Sequence, residues 1–216
     1  TLVLGGDHSI ALGTVSAALK ANADVGVIWV DAHADINEPD TSESRNLHGM
    51  PVSILLREVD PGTVPGMEWM LDVPPLKPEQ LVYVGLRDVD AFEAKVIPRL
   101  NIKTFTMEHV DRYGIGAVMK KAVDYLQGRP LHLSYDIDAV DPNVATATGT
   151  IVSGGLTMRE ALFVAEEVAA TRELVSMDLV EVNPLLADEE SVERTVDLAI
   201  KIIKASMGSR ILNVPF

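Results

Sequence analysis

Six short β-type runs divide the chain, at residues 1–4, 25–30, 81–86, 102–107, 131–135 and 175–182. The second and third are apolar at nearly every position, the pattern of strands covered on both faces. Helical patterns lie between them. Residues 10–22 offer Ile10, Val15, Ala18 and Leu19 to one side, and residues 47–58, the segment up to Leu100 and residues 116–127 also read as helix. A further helix begins at Thr157-Met158-Arg159-Glu160, where a hydroxyl three residues before a carboxylate has capping-box spacing. The last, 191–207, is predicted to place Val192, Val196, Ala199, Ile200 and Ile203 on one face. Residues 60–78, rich in Pro and Gly, read as a long surface loop, and 142–155 as a second loop. Strands alternating with helices predict a single α/β domain, its mainly parallel sheet flanked by helices.

In such sheets ligands bind beyond the carboxyl ends of the strands. Acids and histidines recur there: Asp7 and His8 after the first strand, Asp31, His33 and Asp35 after the second, Asp88 and Asp90 after the third. Asp136 and Asp138 follow the fifth, and Glu181 ends the sixth. Residues two apart on an extended backbone share a face, so Asp31, His33 and Asp35 converge, as do Asp136 and Asp138. Taken alone, Asp136-x-Asp138 reads equally as a strand-end turn or a helix cap, whereas Asp31-x-His33-x-Asp35 favours a metal. Together on one sheet edge, four carboxylates would repel one another strongly. Two divalent cations balance them, and His8 and His33 add neutral nitrogen donors. An oxygen-rich set of this kind favours Mn²⁺ over Zn²⁺, and closed structural zinc sites are usually rich in cysteine. Two metals sharing a water supply hydroxide at neutral pH.

Composition narrows the partners. The 216 residues suffice for one well-buried domain, and 47% hydrophobic content excludes a disordered chain. A formal charge of −14 repels phosphate backbones, which argues against nucleic acid and favours small cations. No apolar run is long enough to cross a bilayer, and no secretory signal is visible. The absence of cysteine excludes disulfides and thiol catalysis and fits an intracellular protein. A cytoplasmic location is expected, with a mitochondrial one as the alternative. Thr1 stands inside a strand-like run, so the natural beginning is expected to lie earlier.

The ordered motifs resemble the ureohydrolase family, and its arginases most closely. They are Gly5-Gly6-Asp7-His8-Ser9, Asp31-Ala32-His33-Ala34-Asp35-Ile36-Asn37, Asn46-Leu47-His48-Gly49, Gly85-Leu86-Arg87-Asp88-Val89-Asp90, Ser134-Tyr135-Asp136-Ile137-Asp138 and Glu181-Val182-Asn183-Pro184. The resemblance runs over essentially the whole chain. It implies an arginase/deacetylase-like α/β fold, two Mn²⁺ per chain and hydrolysis of L-arginine to L-ornithine and urea. It also implies metal ligation by His8, Asp31, His33, Asp35, Asp136 and Asp138, with Asp35 aligning a bridging hydroxide. Glu181 would grip the guanidinium, and His48 would carry a proton to the leaving amine. Asn37, Ser44 and Asn46 would bind the substrate carboxylate, and Asp90, supported by Glu93, its ammonium. Thr150 would stand near the guanidinium pocket. A homo-oligomer, commonly a trimer, is implied, with Arg159 and Glu160 placed for ion pairs between subunits.

The chain departs from the family pattern at four positions. Ser42 replaces a usual threonine, Arg45 stands where glycine is frequent, and Thr146 and Ile151 stand where proline is usual. The loss of two prolines predicts a looser loop at 142–152. The resemblance also implies that part of the family domain precedes Thr1. The rival readings are an agmatinase or other guanidino-substrate hydrolase, and a non-catalytic oligomeric relative.

Overall fold

Side chains two apart on a strand share a face. In the computed structural model, which describes residues 1–210, this rule sorts the strand residues into two cores. Val27 and Trp29 of β2 (Gly26–Val30) and Leu81 and Tyr83 of β3 (Leu81–Leu86) join one core. Ile28, Val30, Val82 and Val84 join the other. Covering both faces is what makes these strands apolar throughout. With β1 (Leu2–Leu4), β4 (Lys103–Thr106), β5 (Leu131–Asp136) and β6 (Leu174–Val180) they form one sheet in the order β1-β6-β5-β2-β3-β4. Every pairing is parallel. Helices α1 (Ala11–Ala21), α2 (Pro51–Leu55) and α3 (Glu93–Arg99) cover one face. The other lies under α4 (Met107–Tyr113), α5 (Ile115–Tyr125), α6 (Met158–Ala170) and α7 (Glu189–Ser206). Among the described residues no helix is long and apolar enough to cross a membrane.

The chain builds outward from β2 to β3 and β4, then returns to place β5 on the other side of β2. A crevice opens at such a reversal, beyond the carboxyl ends of the strands. Register fixes what faces it: Val30 pairs with Tyr135, so the segments starting at Asp31 and Asp136 leave the sheet level with each other.

Several local expectations need correction. Residues 47–58 do not form one helix: a 3₁₀ turn at Leu47–Gly49 precedes α2, which starts on Pro51 and stops before Arg57 at φ +63°. Segment 60–78 is not a free surface loop. It folds into 3₁₀ turns that bury Met70, Val73 and Leu76, and Arg57 Nη2 holds the carbonyls of Met70 (2.6 Å) and Val73 (3.0 Å). The fourth strand ends at Thr106, and the unanticipated helix α4 begins at Met107, with His109 Nδ1 accepting from Thr106 N at 3.0 Å.

The inward face of α7 is rotated from the expected one. Ser191, Thr195, Leu198, Ala199, Ile202 and Ala205 are buried, whereas Ile200 is exposed. Three polar residues, Ser191, Thr195 and Ser206, lie inside, and Thr195 is needed there. Its hydroxyl accepts from Thr146 N and Ala147 N, each at 3.2 Å, and so ties the 142–155 loop to the helix. The capping box of α6 forms as expected: Thr157 N donates to Glu160 Oε2 at 2.9 Å and Glu160 N to Thr157 Oγ1 at 3.3 Å. Arg159 pairs with Glu166, so both residues expected at a subunit contact have partners within the chain.

Candidate metal centre

The cluster starts from the turns that leave the strands. Asp31 Oδ1 accepts from His33 N (2.7 Å), and Asp136 Oδ1 accepts from Asp138 N (2.8 Å). Each Asp-x-(His/Asp) segment is thereby folded by its own first carboxylate. Ala32 N donates to Asp138 Oδ1 (3.3 Å), which joins the two segments. Beneath them Trp29 donates from Nε1 to Asp31 Oδ2 (2.9 Å) and stacks on His8, ring centroids 4.0 Å apart and planes 11° apart. Asp35 and Glu181 have φ of +51° and +65°, a costly conformation for a residue with a Cβ, and both carboxylates meet at this cluster.

His8 Nδ1 is buried without a hydrogen-bond partner. It lies 3.0 Å from Asp31 Oδ2, 3.1 Å from Asp136 Oδ2 and 3.2 Å from Asp35 Oδ2. Donors about 2.1 Å from one ion stand about 3.0 Å apart in an octahedron and about 3.4 Å apart in a tetrahedron. These three spacings match octahedral edges. A second group shares Asp31: His33 Nδ1 is 3.4 Å from Asp31 Oδ1 and 3.1 Å from Asp138 Oδ2. Each group can hold a metal ion, and the donor set fits one.

Electrostatics point the same way. Burial, and then the charge of Asp31, push Asp35 up to about 7. Burial followed by repulsion from Asp138 and Asp31 raises Asp136 well above the carboxylate range, and burial plus Asp31 raises Asp138. Asp31 is held low: burial opposes its ionisation, but His33 and His8 outweigh it. Burial works against charging His33, yet Asp138 and Asp31 push it up to about 12. Without a cation, protons must do the balancing.

A cavity of about 420 Å³ opens above the cluster. His8, His33, Asp35, Asp136 and Asp138 form its floor, and Asn37, Ser44, His48, Asp90, Thr150 and Glu181 line its walls. Two expected residues do not line it: Asp31 is wholly buried below the floor, and Asn46 caps the 3₁₀ turn that carries His48. Asn37 Nδ2 donates to Asp90 Oδ2 (2.7 Å), and Thr150 Oγ1 donates to Asp138 Oδ2 (2.9 Å). Glu181 Oε1 accepts from His8 N (2.8 Å) and stands 3.2 Å from His48 Nδ1. That contact, against the opposing effect of burial, raises His48 above its ordinary value. Glu43 and Asp88 also line the cavity, and among the described residues no Lys or Arg does. A cationic ligand is therefore favoured.

The arginase family model matches residues 1–208. The chain belongs to the arginase family. It is 50% identical over 217 residues to the arginase of Glaciozyma antarctica, covering 98% of this chain and 62% of that one. It is also 50% identical over 214 residues to human arginase-1, covering 96% and 66% respectively. It thus spans about three-fifths to two-thirds of the length of these relatives. Among solved structures, the Bacillus caldovelox arginase superposes with a TM-score of 0.89 at 40% identity, covering 98% of this chain and 69% of that one. An Entamoeba histolytica arginase solved with L-ornithine gives 0.85 at 34%, covering 96% and 69%.

The resemblance set Glu93 beside Asp90 in this arginase-family site, and its second tie, to Ile36, was not anticipated. Glu93 is buried and accepts from Ile36 N (3.0 Å) and Asp90 N (2.9 Å), so one carboxylate staples two walls of the cavity. Replacing it by Ala leaves the buried Ile36 N–H and the partly buried Asp90 N–H unpaired. The Glu93→Ala variant is expected to lose about 2 kcal/mol of stability and to raise KM more than it lowers kcat, read by thermal melts and steady-state kinetics.

Cation uptake must displace the protons on His8 and His33, which the carboxylates hold above the ordinary histidine value. Binding of Mn²⁺ at neutral pH is expected to release protons and to weaken as pH falls. Calorimetry in two buffers of different ionisation enthalpy measures this; an equal heat in both refutes it.

Proposed function

We propose that this chain carries the active site of a binuclear manganese arginase that hydrolyses L-arginine to L-ornithine and urea. The observation that carries this reading is the Asp31 carboxylate, whose two oxygens face the two histidine groups, 3.0 Å from His8 Nδ1 and 3.4 Å from His33 Nδ1. One acid shared between two donor groups is what a pair of ions requires. His8, Asp31, Asp35 and Asp136 would hold one ion, and His33, Asp138, Asp31 and Asp136 the other. When bound, two such cations supply a hydroxide nucleophile at neutral pH by lowering the pKa of a shared water.

The chain's own groups do the rest. Asp35 Oδ2, on the cavity side of His8, would accept a proton of the attacking oxygen and hold that oxygen in line with the guanidinium carbon. Glu181 would receive the guanidinium through charge-assisted hydrogen bonds. His48, beside Glu181, would donate its proton to the departing δ-nitrogen as the carbon–nitrogen bond breaks. Asp90 would pair with the α-ammonium, while Asn37, Ser44 and Asn46 would bind the α-carboxylate and Thr150 would steady Asp138. Arg45 stands in that loop between Ser44 and Asn46 but lines a different cavity, with Pro39, Asp40 and Met50.

Support comes from family membership, from the cation-free acidic walls and from the likeness to an Entamoeba histolytica arginase crystallised with L-ornithine. Further to this reading, the protein would work as a homotrimer in the cytoplasm. The test is urea release from L-arginine and from agmatine, with and without Mn²⁺, by purified full chain. Mn²⁺-dependent urea from arginine is expected. Faster turnover of agmatine would make it an agmatinase, and no urea from a folded, metal-loaded protein would leave the non-catalytic reading. Sedimentation as a monomer would remove the trimer.

A further inference from the structure

Behind the metal cluster the sheet carries a second polar group. On β5, His132, Ser134 and Asp136 alternate on one face, and on the adjacent strand β6 Ser176 and Asp178 do the same. His132, Ser134 and Asp178 have no exposed surface. A buried acid and a histidine in a sheet cost stability unless every polar atom is matched. Here they are matched. His132 Nε2 lies 3.0 Å from Asp178 Oδ2, and His132 Nδ1 lies 2.8 Å from Ser176 Oγ. Thr14 Oγ1 also donates to Asp178 Oδ2. The other oxygen, Oδ1, accepts from Ser134 Oγ at 2.7 Å, and that same Ser134 Oγ lies 2.8 Å from His8 Nε2.

Donor counting settles the direction of this chain. A carboxylate only accepts, and a hydroxyl has one hydrogen. Asp178 Oδ2 accepts from Thr14 Oγ1 and faces His132 Nε2, and Oδ1 accepts from Ser134 Oγ, so both of its oxygens act as acceptors. Ser134 must therefore spend its hydrogen on Asp178 and can only accept from His8. Once a cation has displaced the other proton of His8, the remaining one sits on Nε2, and Nδ1 is left as the lone-pair nitrogen. That is the atom with no hydrogen-bond partner and three carboxylate oxygens at 3.0 to 3.2 Å.

We propose that Asp178, acting through Ser134, is a positioning residue that fixes the His8 tautomer and aims its Nδ1 at the cation. The proposal rests on the reading of His8 as a ligand. Outer partners that orient a metal-bound histidine are worth 10–100-fold in metal affinity. The stacked Trp29 sets the ring plane; the Ser134 hydroxyl sets which edge points inward.

The test is Mn²⁺ calorimetry on the full chain, the unaltered protein beside Ser134→Ala, Ser134→Thr and Asp178→Asn. Ser134→Ala and Asp178→Asn are expected to weaken one of two binding steps by about tenfold or more, leaving the other within about threefold. Ser134→Thr, which keeps the hydroxyl, is expected to restore it. In Asp178→Asn the amide can donate to Ser134, which frees the hydroxyl's hydrogen to turn towards His8 and lets both tautomers form. Affinity within about threefold of the unaltered chain in both weakened variants overturns the proposal, as does a fall in the cation-free melting temperature with affinity kept. Nitrogen NMR of the unaltered, Cd²⁺-loaded protein decides independently of how the variants fold. A protonated Nε2 and a metal-bound Nδ1 on His8 are expected; the reverse overturns the proposal. If the unaltered chain binds no cation, both this inference and the arginase reading fall. If it binds two and only the variants are unaffected, this inference falls alone.

Discussion

Asp31→Asn is expected to weaken both cation-binding steps at once and to cut urea production by roughly 10³-fold, equivalent to about 4 kcal/mol. Among the described residues, Asp31 stands in both metal-holding groups identified from donor spacing. An amide keeps one oxygen, which can still accept from Trp29 or from His33 N, so the fold should survive. It loses the charge and one donor oxygen, and a buried group of ligands left short of one charge is worth several kcal/mol. Asp138→Asn serves as the control, because Asp138 belongs to the His33 group alone. Calorimetry with Mn²⁺ and a urea assay read the two variants. An Asp31→Asn protein that takes up two ions with unchanged affinity would remove the shared-acid arrangement.

The largest expected loss of stability belongs to Arg87→Ala. The Arg87 guanidinium makes four hydrogen bonds to backbone carbonyls, to Asp138 (2.7 Å), to Ala139 (3.1 Å) and twice to Val152 (2.6 and 3.2 Å). It closes the loop that leaves β5, and the same loop is pinned at its far end where Asp141 Oδ2 accepts from Gly154 N and Gly155 N. The packing leaves no slack: a Cβ on Gly155 would sit 2.6 Å from Asp141 N and 2.7 Å from Arg87 Nη2. Removing the guanidinium takes the donors from the carbonyls of Asp138 and Val152 and leaves Ala139 O with Leu156 N alone, about 3 kcal/mol in all. For a chain of this size that is about 6–12 °C in melting temperature. Lys in its place supplies one point charge instead of a planar fork and should recover only part of the loss. A differential scanning melt of Arg87→Ala within about 2 °C of the unaltered chain would contradict this account.

The sheet was legible because burial on two faces leaves a plain trace. Residues 81–86 are strand at every predicted position, and β2 differs from its prediction by one residue. The segments beyond the strand ends were legible for a related reason: acids two apart at the end of an apolar run have few structural uses. What could not be read depended on tertiary contacts. Thr195 looks like an outward-facing residue until the loop that needs its hydroxyl is known, so α7 was predicted on the wrong face. The 60–78 segment has the composition of a loop, yet Arg57 draws two of its carbonyls inward and buries Met70. Ser134 and Asp178 did carry a signal: each is a polar residue at a buried position of a strand, in step with the residues two before or after it. For Glu93 the resemblance implied support of Asp90, but nothing in the sequence pointed to Ile36 N, which only the fold brings to it.

The pairing of β1 with β6 has a consequence for biosynthesis. Thr1 N donates to Val175 O, 174 positions later, and His8 is tied to Glu181 across a similar span. At about 5–20 residues per second, a ribosome needs about 10–35 s to deliver that partner strand. During this wait Leu2–Leu4 and His8 are made while their partner strand is not. All six expected ligands are made before Glu181, so the site closes only after β6 has emerged.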